Sequence, residues 1–332
     1  MWIGLIGIAV WIGCQSSALT SAKIYLQQKD FDSAEAQLKA AIMQEPQNAY
    51  AHFLLGTIYA RKGAFEEMNA SFEEAVRLDP SKYKQDVERW REQYWVENYN
   101  RGVNLAQTHQ IPDAVEAFQR AVVIDSTRVD AFRNLGFCYY KLGDADRAIS
   151  VYERALKVAP EDPDVLTRVG LLLFNEKEYE RAIQYLTQAS EADPTNVHVL
   201  SSLASAYERM KRLDDAVAQY QKAIEVQPTD ENLRYNLGVA LSEKEDYTGA
   251  AQAYEEALKI KPDDKDARFN LAIVYLLKLD DADRALPHLQ HMVEHDPENA
   301  DAWEMLSIAY VKLNRVEEAE EALARSKTLK GE

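Results

Sequence analysis

Seven of the ten prolines fall on one beat: Pro46 and Pro80 stand 34 residues apart, Pro160, Pro194, Pro228 and Pro262 keep the same step, and Pro297 follows one residue late. A fixed period of this size means stacked copies of one supersecondary unit, and it governs how every other residue is read. The same period carries a small residue eight positions into each unit: Ala22, Gly56, Gly102, Gly136, Gly170, Ala204, Gly238, Ala272 and Ser307. About twelve positions later stands an alanine (Ala34, Ala114, Ala148, Ala182, Ala216, Ala250, Ala285, Ala319), with Met68 as the exception. Seven further on is usually another: Ala41, Ala75, Ala121, Ala155, Ala189, Ala223 and Ala257. Small side chains on a regular beat mark places where neighbouring segments approach each other closely. A larger group there overpacks, at roughly 1–3 kcal/mol.

The copy that reads Phe132, Leu135, Gly136, Tyr139, Ala148, Tyr152, Ala155 and Pro160 resembles the tetratricopeptide repeat, whose pattern is W-x2-L-G-x2-Y, A-x3-F and P. The resemblance implies an all-α superhelix, a solenoid of about nine hairpins, each of a helix A and a helix B. No hairpin buries its apolar face alone, so stability comes from neighbours. Gly63 and Gly143 are placed to end helix A as left-handed turn residues. Where glycine is absent, as at Lys177 and Glu245, the turn carries strain. Proline after helix B stops it, having no N–H to donate.

The units begin near Gln15, Ala49, Trp95, Val129, Pro163, Val197, Glu231, Lys265 and Ala300. The chain therefore divides into a leader at 1–14, two repeats at 15–82, a helical insertion at 83–94, and seven repeats at 95–332. The insertion reads YKQDVERWREQY and predicts a longer helix A. Its Trp90 and Tyr94 stand at i,i+4, either filling the seam that the insertion opens or forming an aromatic anchor for a partner. The unit at Lys265 has one extra residue, expected in its mid-turn at Asp280–Asp283, and Pro287 is expected near the start of the following helix B.

The formal net charge of -17 argues against nucleic acid and anionic lipid surfaces, which require basic footprints. Cys138 reads as a small buried hydrophobe. Cys14 closes the run MWIGLIGIAVWIGC, which is shorter than the roughly 20 residues of a membrane-spanning helix. With Gly13 before it, Cys14 resembles the lipidated cysteine of a bacterial lipoprotein signal. Trp11 stands where leucine is usual, however, and no Lys or Arg precedes the run, so a plain signal peptide stays open. The lipoprotein resemblance implies a chain on the periplasmic face, held to the membrane only through its lipid. Gln15, where aspartate would retain it, points to the outer membrane.

No nucleotide-binding glycine loop and no nucleophile–base set occurs, so neither catalysis nor a cofactor is assigned. His288, His291 and His295 share one helical face, a pattern open to Zn or Ni. Against a metal, His295 replaces Leu78, Val158 and Ile260 of other units, a semi-buried packing position. His291 replaces Arg154, Gln188 and Lys222, an exposed one, and no acid completes the set.

The resemblance places a binding groove along the A helices. Six residues into successive units stand Asn100, Asn134, Arg168, Ser202, Asn236 and Asn270. An asparagine amide donates and accepts, so it pairs with a peptide backbone of any sequence. Beside this row lie Tyr235, Val239, Phe269, Ile273, Leu276, Leu277 and Ile308, which either receive an apolar ligand face or are covered by neighbouring helices. The clamp by which chaperone-binding repeats hold a terminal carboxylate is not assembled by Arg133, Phe137, Asp164 and Arg168. The expected function is a scaffold of the cell envelope that binds protein or peptide partners, assisting assembly of outer-membrane or surface complexes. The alternative is a substrate-recognition module of an envelope enzyme that processes glycan or peptidoglycan.

Overall fold

The computed structural model describes residues 16–331, so Cys14 and the leader at 1–14 lie outside the described residues. The chain forms two compact units, Met1–Val158 and Ala159–Glu332. In the first unit the helices are α1 (Ser17–Gln27), α2 (Phe31–Gln44), α3 (Ala49–Lys62), α4 (Phe65–Leu78), α5 (Pro80–Gln107), α6 (Ile111–Ile124), α7 (Val129–Lys141) and α8 (Ala145–Val158). In the second they are α9 (Pro163–Asn175), α10 (Tyr179–Ala192), α11 (Val197–Arg209), α12 (Leu213–Val226), α13 (Glu231–Glu243), α14 (Tyr247–Ile260), α15 (Lys265–Ile273), α16 (Ala282–His295), α17 (Ala300–Lys312) and α18 (Val316–Lys330). A π-helical turn, Val274–Lys278, continues α15. Among the described residues there is no strand, and the helices pair as nine antiparallel hairpins.

Each hairpin is punctuated the same way. An Asp or Asn before most A helices caps them: the Asn48 side chain accepts from Ala51 N at 3.1 Å, and Asp162 accepts from Val165 N at 3.0 Å. Such a cap satisfies one of the N–H groups that a helix start leaves unpaired. The A-to-B turn holds one left-handed residue. It is glycine only at Gly63 and Gly143; elsewhere it is Lys29, His109, Lys177, Lys211, Glu245, Asp280 or Asn314, with φ between 55° and 67°. The next N–H then reaches back five residues, as in Asp144 N to Tyr139 O at 3.0 Å and Glu178 N to Leu173 O at 2.8 Å, which closes the helix end. Strain at Lys177 and Glu245, expected from their side chains, is therefore a property of most turns.

The repeating small residues form the core. Ala34, Met68, Ala114, Ala148, Ala182, Ala216, Ala250 and Ala285 are fully enclosed. A Cβ on Gly136 would lie 2.5 Å from the Tyr152 ring, and one on Gly238 would lie 2.6 Å from the Tyr254 ring. The missing side chain in helix A thus makes room for an aromatic ring of helix B. Cys138 is enclosed too, and burial pushes its thiol up to about 11.

Three details differ from the sequence reading. Pro80 shares the phase of the helix-B stops but is the first residue of α5, which runs unbroken to Gln107. Its missing N–H is harmless there, because the first helical N–H has no intrahelical partner. The extra residue of the eighth hairpin lies in helix A and not in the Asp280–Asp283 turn. The chain there closes Leu279 N on Val274 O at 3.0 Å and Asp281 N on Tyr275 O at 2.8 Å, one residue wider than in the other hairpins. Pro287 lies inside α16, in its second turn, and leaves the Asp283 carbonyl without its usual helical donor.

Candidate functional site

In the second unit, α9, α11, α13 and α15 carry Arg168, Ser202, Tyr235, Asn236, Phe269, Asn270 and Ile273, all partly buried. The Asn270 amide donates to the Tyr235 hydroxyl at 3.2 Å, tying α15 to α13. The Tyr235 ring also rests 5.8 Å from the Tyr254 ring, and burial holds its phenol above the ordinary range. Phe269, Val239 and Ile308 pack against the buried core from its edge. Leu276 is fully enclosed, because the π turn rotates it into the core, so it drops out of the exposed apolar strip. Leu277 remains half exposed. Arg168 donates to Asp164 at 2.9 Å along its own helix. Among the described residues, the side chains of Asn236 and Ser202 have no hydrogen-bond partner, so the Asn236 amide keeps both its donors and its acceptor for a ligand.

In the first unit Asn100 is exposed on α5. The Asn134 amide donates to the Tyr99 hydroxyl at 3.0 Å and to the Asp130 carbonyl at 3.1 Å. Both its N–H groups are engaged, and only its oxygen faces outward as an acceptor. Tyr99–Asn134 and Tyr235–Asn270 are the same link, 35 residues apart each time. The asparagine row is thus partly a set of inter-hairpin ties, a role the single-residue spacing does not disclose. A tyrosine 35 residues before an asparagine is the signal that marks it.

Trp90 and Tyr94 are partly buried on α5, stacked on each other at 5.9 Å. Tyr94 lies 5.9 Å from Phe65 and Trp90 lies 6.5 Å from Phe72, so both rings cover α4 and stay partly exposed.

The histidines are divided. His288 is partly buried, faces the Tyr275 ring at 6.3 Å, and has its pKa lowered by burial. The His291 and His295 rings stack at 4.0 Å. His291 is the partly buried one and His295 the exposed one, the reverse of the repeat-position reading, because the His295 Nδ1 turns back to the His291 carbonyl at 2.9 Å. Among the described residues, no group of three or more His, Cys, Asp or Glu side chains is placed to hold a metal ion. No described helix is long and apolar enough to cross a membrane.

Tetratricopeptide repeat models match residues 19–83, 138–197, 202–267 and 276–327. The chain belongs to the tetratricopeptide repeat family. No curated protein matches the sequence. Among solved structures, the chain is similar to YrrB, described as a repeat protein with an unusual peptide-binding site, at 21% identity and a TM-score of 0.49, over 59% of this chain and 95% of that one. It is similar to MamA from Desulfovibrio magneticus RS-1 at 20% identity and a TM-score of 0.47, over 52% and 97% of the two chains. It is also similar to pilF of Pseudomonas aeruginosa at 20% identity and a TM-score of 0.47, over 62% and 94%.

Proposed function

We propose that this chain is a protein-interaction scaffold that receives a peptide segment of its partner on α13 and α15. One observation carries the reading. The unpartnered Asn236 amide lies among the partly exposed Tyr235, Phe269 and Ile273, so a backbone-pairing group and apolar anchoring surface occur together. Binding surfaces concentrate their energy in such aromatic anchors, with about 2 kcal/mol or more at the costliest truncation. Arg168 and Ser202 extend the same row along α9 and α11. The test begins with crosslinking of the intact protein in its own cells to identify the partner. Its binding is then compared between the natural chain and a Tyr235, Asn236, Phe269 and Asn270 quadruple alanine variant. Loss of binding by a variant that keeps its helical circular dichroism spectrum at the assay temperature supports the reading; full binding by the quadruple variant removes it.

The scaffold's proposed setting is the periplasmic face of a bacterial membrane, with Cys14 acylated and the partner a component of an outer-membrane or surface complex. The support is the Gly13–Cys14 junction after an apolar run. A single acyl chain anchors only marginally, so the proposal requires several. Mass spectrometry of the membrane fraction should find a diacylglyceryl group on Cys14. An unmodified cysteine on a membrane-bound chain refutes this part without touching the groove.

A further inference from the structure

The first unit holds a pocket whose charge runs against the rest of the chain. Its floor is Leu26 of α1 with Phe53, Leu54 and Thr57 of α3, and Phe31 and Trp90 stand as walls. Gln27, Lys29 and Arg61 complete the lining, which contains no Asp or Glu in a chain of net charge -17. The cavity measures about 360 Å³, within the range of ligand sites. The twelve inserted residues build part of it, since they carry Trp90 across to α3.

Arg61 is the unusual group. Its guanidinium lies 5.5 Å from the Phe31 ring and 5.5 Å from the Trp90 ring, between two aromatic faces. The acids nearby are engaged elsewhere. Lys62 takes Asp32 at 2.6 Å and Glu35 at 2.7 Å, while Asp30 caps α2 through Ser33 N at 3.1 Å. Among the described residues, neither Arg61 nor Lys29 has a carboxylate partner, and both are exposed. Held near two rings and exposed, the Arg61 guanidinium keeps N–H donors that can take a carboxylate through two parallel hydrogen bonds.

We propose that this pocket recognises an acidic side chain within a partner's peptide segment, with an adjacent apolar residue seated on Leu26, Phe53 and Leu54. The ligand carries one carboxylate among apolar neighbours and not an acidic run, because a chain this negative repels a polyacid at long range. The pocket is built from helices of the first unit alone, so it gives the scaffold a second point of attachment.

The test is an array of hexapeptides, every member acetylated and C-terminally amidated, in which Asp or Glu is flanked by Leu, Phe or Trp. A matched copy of each carries Asn or Gln instead. The full chain should retain acidic members at least tenfold better than their amide copies, as read by fluorescence polarisation of labelled hits. Arg61→Gln should lose at least tenfold and Lys29→Gln several-fold, while Glu178→Ala, exposed and outside both surfaces, should lose nothing. Circular dichroism melts accompany each variant. If Arg61→Gln alters the melt, the exposed turn variant Lys29→Gln decides. No retained member, equal retention of the amide copies, or binding indifferent to Arg61 and Lys29 would each overturn the proposal. Loss of array binding in Tyr235 and Phe269 alanine variants instead would assign it to the other surface.

Discussion

Two hairpins carry extra residues, and they absorb them in opposite ways. The third gains twelve ahead of Trp95, and α5 simply starts earlier; the eighth gains one, and its helix A widens into a π turn. The difference lies in what each addition stands between. Residues added at the free end of a helix leave the phase of everything after them unchanged. They need only a stripe of their own to pack, and Tyr83, Val87, Trp90 and Tyr94, spaced four, three and four apart, provide it. A residue added between Ala272 and the turn at Asp280 lies between two fixed contacts. One residue turns an α-helix by about 100°, so continuing as α-helix would misplace the turn. The π turn takes up the excess and keeps Tyr275 enclosed, with its hydroxyl donating to Glu255 at 2.5 Å.

Deletions should break the comparison most visibly. Removing Ala240 from α13 leaves that helix one residue short between Gly238 and Glu245, and the expected loss exceeds about 4 kcal/mol, the size that signals a structural failure. Removing Leu277 lets the π turn relax to α-helix, and urea unfolding should record less than half that loss. Equal losses would mean that the eighth hairpin depends on its extra residue. Next in size is Tyr83→Ala in the added part of α5, where a buried ring stacked 5.1 Å from Phe53 is lost. Thermal or urea melts should show about 3 kcal/mol, the low end for a buried aromatic. A near-neutral result would mean the added turns are only tethered, not packed.

The regular hairpins give the reference. Gly136→Leu and Ala155→Leu should each lose roughly 1–3 kcal/mol by overpacking, with Glu178→Ala within about 0.5 kcal/mol as the control. Glu178 ends a turn and pairs with Arg181 at 2.5 Å on the surface, so its removal leaves packing intact. The smallest effect is a gain. Lys211→Gly, at φ 57°, should raise stability by about 0.5–1 kcal/mol, because the left-handed region costs a side chain roughly 1–2 kcal/mol and glycine's looser unfolded chain offsets part of that. A drop in melting temperature would show that the Lys211–Glu243 pair at 3.0 Å outweighs the strain.

The hairpin starts at Ala49, Val129, Pro163, Val197, Glu231, Lys265 and Ala300 were readable because the small residues and alanines repeat in one phase, joined at every start but Val129 by a proline. The position of the π turn was not. The distance from Ala272 to Ala285 is the same wherever in that span the extra residue falls. Pro80 misled for a related reason: phase says where a proline stands, and only the residues after it decide whether a helix starts there. At the candidate site, Tyr235, Phe269 and Asn270 were readable as members of one face, but the Tyr235–Asn270 tie joins different repeats. Arg61 gave no signal at all, since its aromatic neighbours Phe31 and Trp90 are distant in sequence and meet it only through stacking of the hairpins.

Asp79 stands alone between α4 and α5, whereas four residues separate every other pair of successive hairpins. Its backbone N–H closes the end of α4 on Ala75 at 3.1 Å while its side chain caps α5. A protease must draw an exposed, extended stretch of chain into its cleft, and a four-residue junction offers the beginnings of one. A single residue held from both sides offers none. Limited digestion of the native chain should therefore leave the second and third hairpins joined in one resistant fragment, while nicks gather at the longer junctions on either side.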